Sequence, residues 1–129
     1  MRVDEDRPAA DVVLDVELED GLLFLVLANL GAGAAHAVRV QFDEPLRGLG
    51  GERRIDRLRV FRSLEFLPPG RRIRVLLDRA ALFFARGEPT AFSARVGWRE
   101  DDDRRGSRLI RHDLDAYRDF PYLEVPRNA

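Results

Sequence analysis

The sequence predicts an all-β protein: an antiparallel, immunoglobulin-like β-sandwich of about seven strands, with at most one short helix near residues 79–86. Three observations predict it. Apolar residues recur with period two in several segments, as in strands buried on one face. Gly, Pro and Asp punctuate those segments at intervals typical of a sandwich. Only one stretch has helical character, whereas a parallel sheet needs a helix between successive strands. At 129 residues the chain is expected to form one domain, residues 11–125, after a flexible acidic segment, residues 1–10.

Each element has its own justification. Residues 11–19 (DVVLDVELE) place Val12, Leu14, Val16 and Leu18 on one face and Asp11, Asp15, Glu17 and Glu19 on the other. Asp20-Gly21 then reads as a hairpin turn, since both residues tolerate positive φ. GLLFLVLAN is continuously apolar up to Asn29, which suits a central strand covered on both faces. Its shortness and the glycines bounding it favour a strand over a buried helix. HAVRVQF turns Val38, Val40 and Phe42 inward. Residues 43–57 read as a loop, and LRVFRSLEF is expected to hold one or two short strands around Ser63. Pro68-Pro69-Gly70 is a turn, because proline sets φ and glycine accepts positive φ. RRIRVLLD gathers Ile73, Val75 and Leu77 on one face. RAALFFARG is the helix candidate, favoured by its alanines, ended by Gly87 and blocked by Pro89. AFSARVGW turns Phe92, Ala94, Val96 and Trp98 inward; REDDDRRG is a charged hairpin loop; SRLIRHDL is a last strand of ambiguous phase. The aromatic tail, with Tyr117, Phe120 and Tyr122, is expected to dock on the body.

Asn29-Leu30-Gly31 leads through small residues into Ala37-Val38-Arg39-Val40. Leu67-Pro68-Pro69-Gly70 precedes a strand, and Trp98 closes another before an acidic turn. Together these features resemble the bacterial immunoglobulin-like sandwiches of the CARDB type, the cell-adhesion-related domains of bacteria. The resemblance covers about residues 11–115 and implies the sandwich and a generic binding or spacer role. It implies no catalytic residues.

Composition narrows the chemistry. There is no cysteine, so disulfide and thiolate chemistry are excluded. The formal net charge is −1, which gives no global attraction to nucleic acid or membrane. The longest apolar run, Leu22 to Leu30, has nine residues even with Asn29 counted inside it, against about 20 for a membrane helix. MRVDEDRPAA is unlike a signal peptide, and a cytoplasmic location is expected. Gly31-x-Gly33 invites comparison with a dinucleotide loop. Its third small position, however, is His36, and the run behind it has period two, so the helix N-terminus that faces a pyrophosphate is missing. A turn between strands is expected, and no cofactor.

Other candidates reduce in the same way. Zinc needs three or four ligands, and His36 and His112 stand far apart without cysteine. His36 is expected to be solvated in a turn, and His112 to be hydrogen-bonded and partly buried. Asp101-Asp102-Asp103 lacks the alternating ligand spacing of a calcium loop and is flanked by Arg99, Arg104 and Arg105, so a solvated hairpin tip is expected. Ser63, Ser93 and Ser107 lie in no nucleophile elbow. Neither a metal site nor an enzyme is expected. Trp98, Tyr117, Phe120 and Tyr122 could stack a sugar, but Trp98 ends an inward series, so core packing is the simpler account.

One asymmetry remains. Residues 1–20 hold eight acids and two arginines, while residues 47–74 hold nine arginines and three acids. Within the second stretch Arg53, Arg54, Arg57, Arg59, Arg71, Arg72 and Arg74 form a candidate binding patch, interleaved with Phe61 and Phe66, as suits single-stranded nucleic acid. The simpler account is that arginines alternate outward and the acidic first strand balances them. A protein partner is favoured over nucleic acid, whose binding faces usually show in a domain's net charge. The expected function is therefore a non-enzymatic interaction or accessory domain, engaging protein through an exposed edge strand or loops, with self-pairing of an edge as a route to a homo-oligomer. The alternative is a module for carbohydrate or single-stranded nucleic acid.

Overall fold

Nine segments of the described residues form strands, the longer ones where apolar residues alternate or run together. In chain order the elements are β1 (Val12–Glu19), β2 (Leu22–Asn29), β3 (Ala35–Phe42), β4 (Arg47–Gly48), β5 (Arg53–Arg54), α1 (Arg59–Arg62), β6 (Leu64–Leu67), β7 (Arg72–Arg79), α2 (Ala80–Ala85), β8 (Ala91–Arg99) and β9 (Arg105–Asp113). The structure is a computed structural model and describes residues 8–123. Residues 1–7 of the expected N-terminal segment, and residues 124 and 125 of the expected domain, lie outside the described residues.

The strands form an all-β antiparallel sandwich. One sheet has the order β1-β2-β7 and the other β6-β3-β8-β9, with β4 and β5 as a separate ribbon. Asp20 and Gly21 take φ of 52° and 74°, the paired positive values of a tight hairpin turn, and they set the register from Glu19–Leu22 to Val12–Asn29. The inward residues of both sheets meet in one core, whose largest fully buried members include Phe61, Phe83, Phe92, Leu14, Leu25 and Leu77. Burying each such side chain contributes roughly 1.5–3 kcal/mol.

β2 is covered on both faces, as its sequence predicts, but not by two layers of structure. Val26 and Ala28 point away from the core, yet are 1% and 3% exposed. Their register partners on β7 are Arg74 and Arg72. These arginines reach across the sheet to β1: Arg72 pairs with Glu17, and Arg74 lies 3.5 Å from Glu17 and 3.4 Å from Glu19. The Arg74 guanidinium also sits 3.7 Å from the centre of the Phe24 ring. Arginine stems thus roof the strand while their charges are neutralised by the acidic first strand.

Two segments depart from expectation. Arg59–Arg62 is a helical turn rather than a strand; Phe61 needs to reach the core from a segment entering against β3, and one turn of helix brings it there, fully buried. The expected loop 43–57 contains the β4–β5 ribbon. Gly48 lies so close to the Leu77 carbonyl that a Cβ would strike it. Beside it, the buried carboxylate of Asp78 accepts from the Gly50 N–H at 3.2 Å and from Arg86 at 2.5 Å, while Arg86 also donates to the Arg47 carbonyl at 2.9 Å. The ribbon is thereby fastened to β7 and α2.

The helix expected near residues 79–86 is α2. The phase of the last strand is settled by packing, since Ile110 and His112 turn toward β1 and Leu109 and Arg111 turn outward. In the tail, Tyr117 and Phe120 pack against the core, but Tyr122 is 90% exposed and does not dock.

Candidate functional site

The Gly31–Gly33 stretch is a turn, and its glycines serve a close approach of backbone. Asn29 is fully buried at the end of β2. Its Nδ2 donates to the carbonyls of Gly33 at 2.9 Å and Leu67 at 3.0 Å, and its Oδ1 accepts from the N–H groups of Asp11 at 3.1 Å and Gly31 at 3.0 Å. Residues 8–11, three of them expected to be flexible, lie along this turn. Gly33 donates to the Ala9 carbonyl at 3.1 Å and Leu30 to that of Asp11 at 2.8 Å. A Cβ on Gly31 would strike the Ala9 carbonyl, and one on Gly33 would come 2.6 Å from that of Pro8. The backbone of residues 8–11 thus occupies the space over the two glycines that a phosphate-binding loop leaves to its ligand.

The arginines of the predicted patch are dispersed. Arg72 and Arg74 roof β2. Arg54 forms a forked pair with Asp56 at 2.9 and 2.8 Å. Arg53 lies on the ribbon, Arg57 in a short turn after it, Arg59 on α1 and Arg71 just ahead of β7, all exposed. Around Asp56, burial raises the carboxyl's pKa, but the Arg54 side chain and the Leu46 N–H together hold it below the ordinary range.

A different set of arginines converges. On the outer face of the four-stranded sheet, alternate residues of β3, β8 and β9 stand in rows. His36 faces Arg99, which faces Arg105; Arg39 faces Gly97, which faces Ser107; Gln41 faces Arg95, which faces Leu109; Ser93 faces Arg111. Ala37, at φ 49°, is the extra residue of a bulge that lets both His36 and Arg39 face outward. At the centre Gly97 supplies no side chain, and a Cβ there would meet nothing within 4 Å. The result is an open depression of about 570 Å³ lined by Ala37, Arg39, Gly97, Arg99, Arg105 and Ser107, with Trp98 and Gly106 at its base. Among the described residues, carboxylates stand at its margin: Asp101 is 2.6 Å from His36 Nε2, and Asp103 accepts from Arg99 at 2.9 Å. Each half of this pattern is visible in AFSARVGW and SRLIRHDL, where small and basic residues take alternate positions. That β3 lies beside β8 is a long-range fact, which no local pattern reveals.

The remaining candidates have structural partners. His112 is half-buried, with Nε2 2.7 Å from the Leu14 carbonyl, so the ring donates there and bridges β9 to β1. Asp102 pairs with Arg104 at 2.6 Å. No group of three or more His, Cys, Asp or Glu that could hold a metal ion occurs among the described residues. Trp98 is 8% exposed, packs under Gly106, and donates from Nε1 to Glu100 at 2.7 Å. No helix of the described residues is long and apolar enough to cross a membrane.

A family model described as a domain of unknown function, DUF8453, matches residues 1–118. No curated protein and no solved structure matches the chain.

Proposed function

The chain belongs to the DUF8453 family of domains of unknown function, and on that premise we propose that it is a non-enzymatic interaction domain that binds a protein through the outer face and free edge of its four-stranded sheet. The observation that supports this most is the position of β9. It is nine residues long, among the described residues pairs with β8 alone, and borders the depression over Gly97. A strand with one unpaired edge beside a shaped, side-chain-lined surface offers both main-chain and side-chain recognition. The strand order fits an immunoglobulin-like sandwich, and the resemblance to CARDB domains agrees with a binding role. Site-specific photo-crosslinking in the native host tests the proposal. A crosslinker replacing Leu109, which is 62% exposed, should capture a discrete protein. One replacing Asp15, on the outer side of the other sheet, should not. Equal capture at both positions, or none at Leu109, would remove the reading.

A further inference from the structure

We propose that the depression over Gly97 is a site for an acidic polypeptide segment, whose side-chain carboxylates are held by Arg39, Arg99 and Arg105. This rests on the reading of the chain as a protein-binding domain and adds the chemistry of its partner. Charge and shape carry it together. Arg99 and Arg105 stand directly opposite each other across β8 and β9, an arrangement of like charges that is unfavourable unless an anion lies between them. Asp103, 2.9 Å from Arg99, already supplies one such contact from the hairpin tip. Arg39 and Arg105 have no carboxylate partner in any contact of the described residues. Their guanidinium forks match carboxylates two bonds at a time, and they wall a floor from which Gly97 withholds a side chain.

The surroundings favour polypeptide over nucleic acid. Outward positions on β8 and β9 hold alanine, serine, arginine, glycine, leucine and aspartate. The rings of this face, His36 and Phe66, stand on β3 and β6 and pack on each other, and Trp98 is 8% exposed, so among the described residues no free ring platform stands over Gly97 for bases to stack on. Leu109, beside Arg95, instead offers aliphatic surface amid the cations. An extended chain repeats same-face side chains about every 6.8 Å, the spacing of alternate residues along β9. A segment with acids two residues apart, interleaved with an aliphatic residue, therefore meets this face in step.

Trp98 is the sole tryptophan and lines the depression, so its emission reports occupancy. The full chain is titrated at low salt with a ten-residue peptide of alternating Glu and Val, with a Lys–Val counterpart, and with a thymidine decamer. The Glu–Val peptide should bind and change Trp98 emission, and the Lys–Val peptide should not. An Arg39→Gln, Arg105→Gln double variant, altered only at exposed positions, should bind at least tenfold more weakly. Gly97→Leu, which enters open space, should weaken binding as much while the thermal midpoint stays within a few degrees. Tighter binding of the decamer, weakened by the same variants, would overturn the proposal in favour of nucleic acid. So would peptide binding indifferent to Gly97→Leu. If the Glu–Val peptide fails while crosslinking at Leu109 still captures a protein, the acidic-partner proposal falls and the interaction reading stands; if both fail, both fall.

Discussion

Every polar atom of the Asn29 side chain is used, and its four partners come from four places in the chain: Asp11, Gly31, Gly33 and Leu67. Asn29→Ala leaves four backbone groups without this partner, the Gly33 and Leu67 carbonyls in fully buried bonds and the Asp11 and Gly31 N–H groups in part-buried ones. Unsatisfied buried groups cost about 1–3 kcal/mol each where no relaxation helps, so a loss of about 2–4 kcal/mol is expected from urea unfolding. Gly31→Val should cost about 1–3 kcal/mol by overpacking, and the Leu30 and Gly33 amides should exchange faster because their acceptors on Asp11 and Ala9 are pushed away. The turn at Gly31 and Gly33 was legible from composition and from the period-two run behind it. The reason for the glycines was not. It depends on residues 8–11 returning to the turn, a contact between segments that no local pattern encodes.

Among the elements, the Arg54–Asp56 pair orders the segment between β5 and α1. The Asp56 carboxyl is held below its ordinary value in the folded chain, so its contribution is complete above the unfolded value of about 3.9 and fades as pH falls toward the lowered one. Asp56→Asn should lower stability by about 1–2 kcal/mol at pH 7 and flatten the further loss between about pH 4 and 2, measured as denaturant midpoints across that range. Asp78 has a larger role, being 1% exposed and shared by Arg86 and the Gly50 and Arg79 N–H groups. Removing one partner of a buried pair costs about 3–5 kcal/mol, and Asp78→Ala should approach that in thermal unfolding while freeing the ribbon. A short continuous apolar run in the sequence located β2, and alternation located β1, β3, β7 and β8. It misled at Leu58–Phe61, where apolar residues two and three apart fit a strand or a helical turn equally well and only the depth of the Phe61 pocket decides.

At the scale of the whole molecule, the sequence's charge asymmetry has a structural explanation. Acids of β1 and arginines of β7 meet across β2, so two of the seven arginines of the apparent basic patch, Arg72 and Arg74, form a roof over Phe24, Val26 and Ala28. The basic surface lies on the other sheet, assembled from β3, β8 and β9. Its outward residues were legible strand by strand, but their convergence follows from the pairing of β3 with β8, set by the crossover between sheets. The four outer strands of the sandwich are also treated differently. β6 is four residues long, β1 is bridged to β9 by His112, and β7 is overlaid near Leu77 and Asp78 by the ribbon. β9, at nine residues the longest of the four, keeps one main-chain edge without a strand partner among the described residues, although His112 and Arg108 tie its inner side to β1 and to Asp11 just ahead of it. A lattice that grows by strand addition needs two complementary open borders on each unit, and among the described residues the ribbon obstructs one border of the other sheet at Leu77 and Asp78. If copies pair through β9 they close on each other, and the ribbon over β7 then serves as an end-stop against further addition. Asp78→Ala, by releasing the ribbon, would remove that end-stop, and static light scattering should then show open-ended assemblies under conditions in which the parent chain goes no further than a dimer.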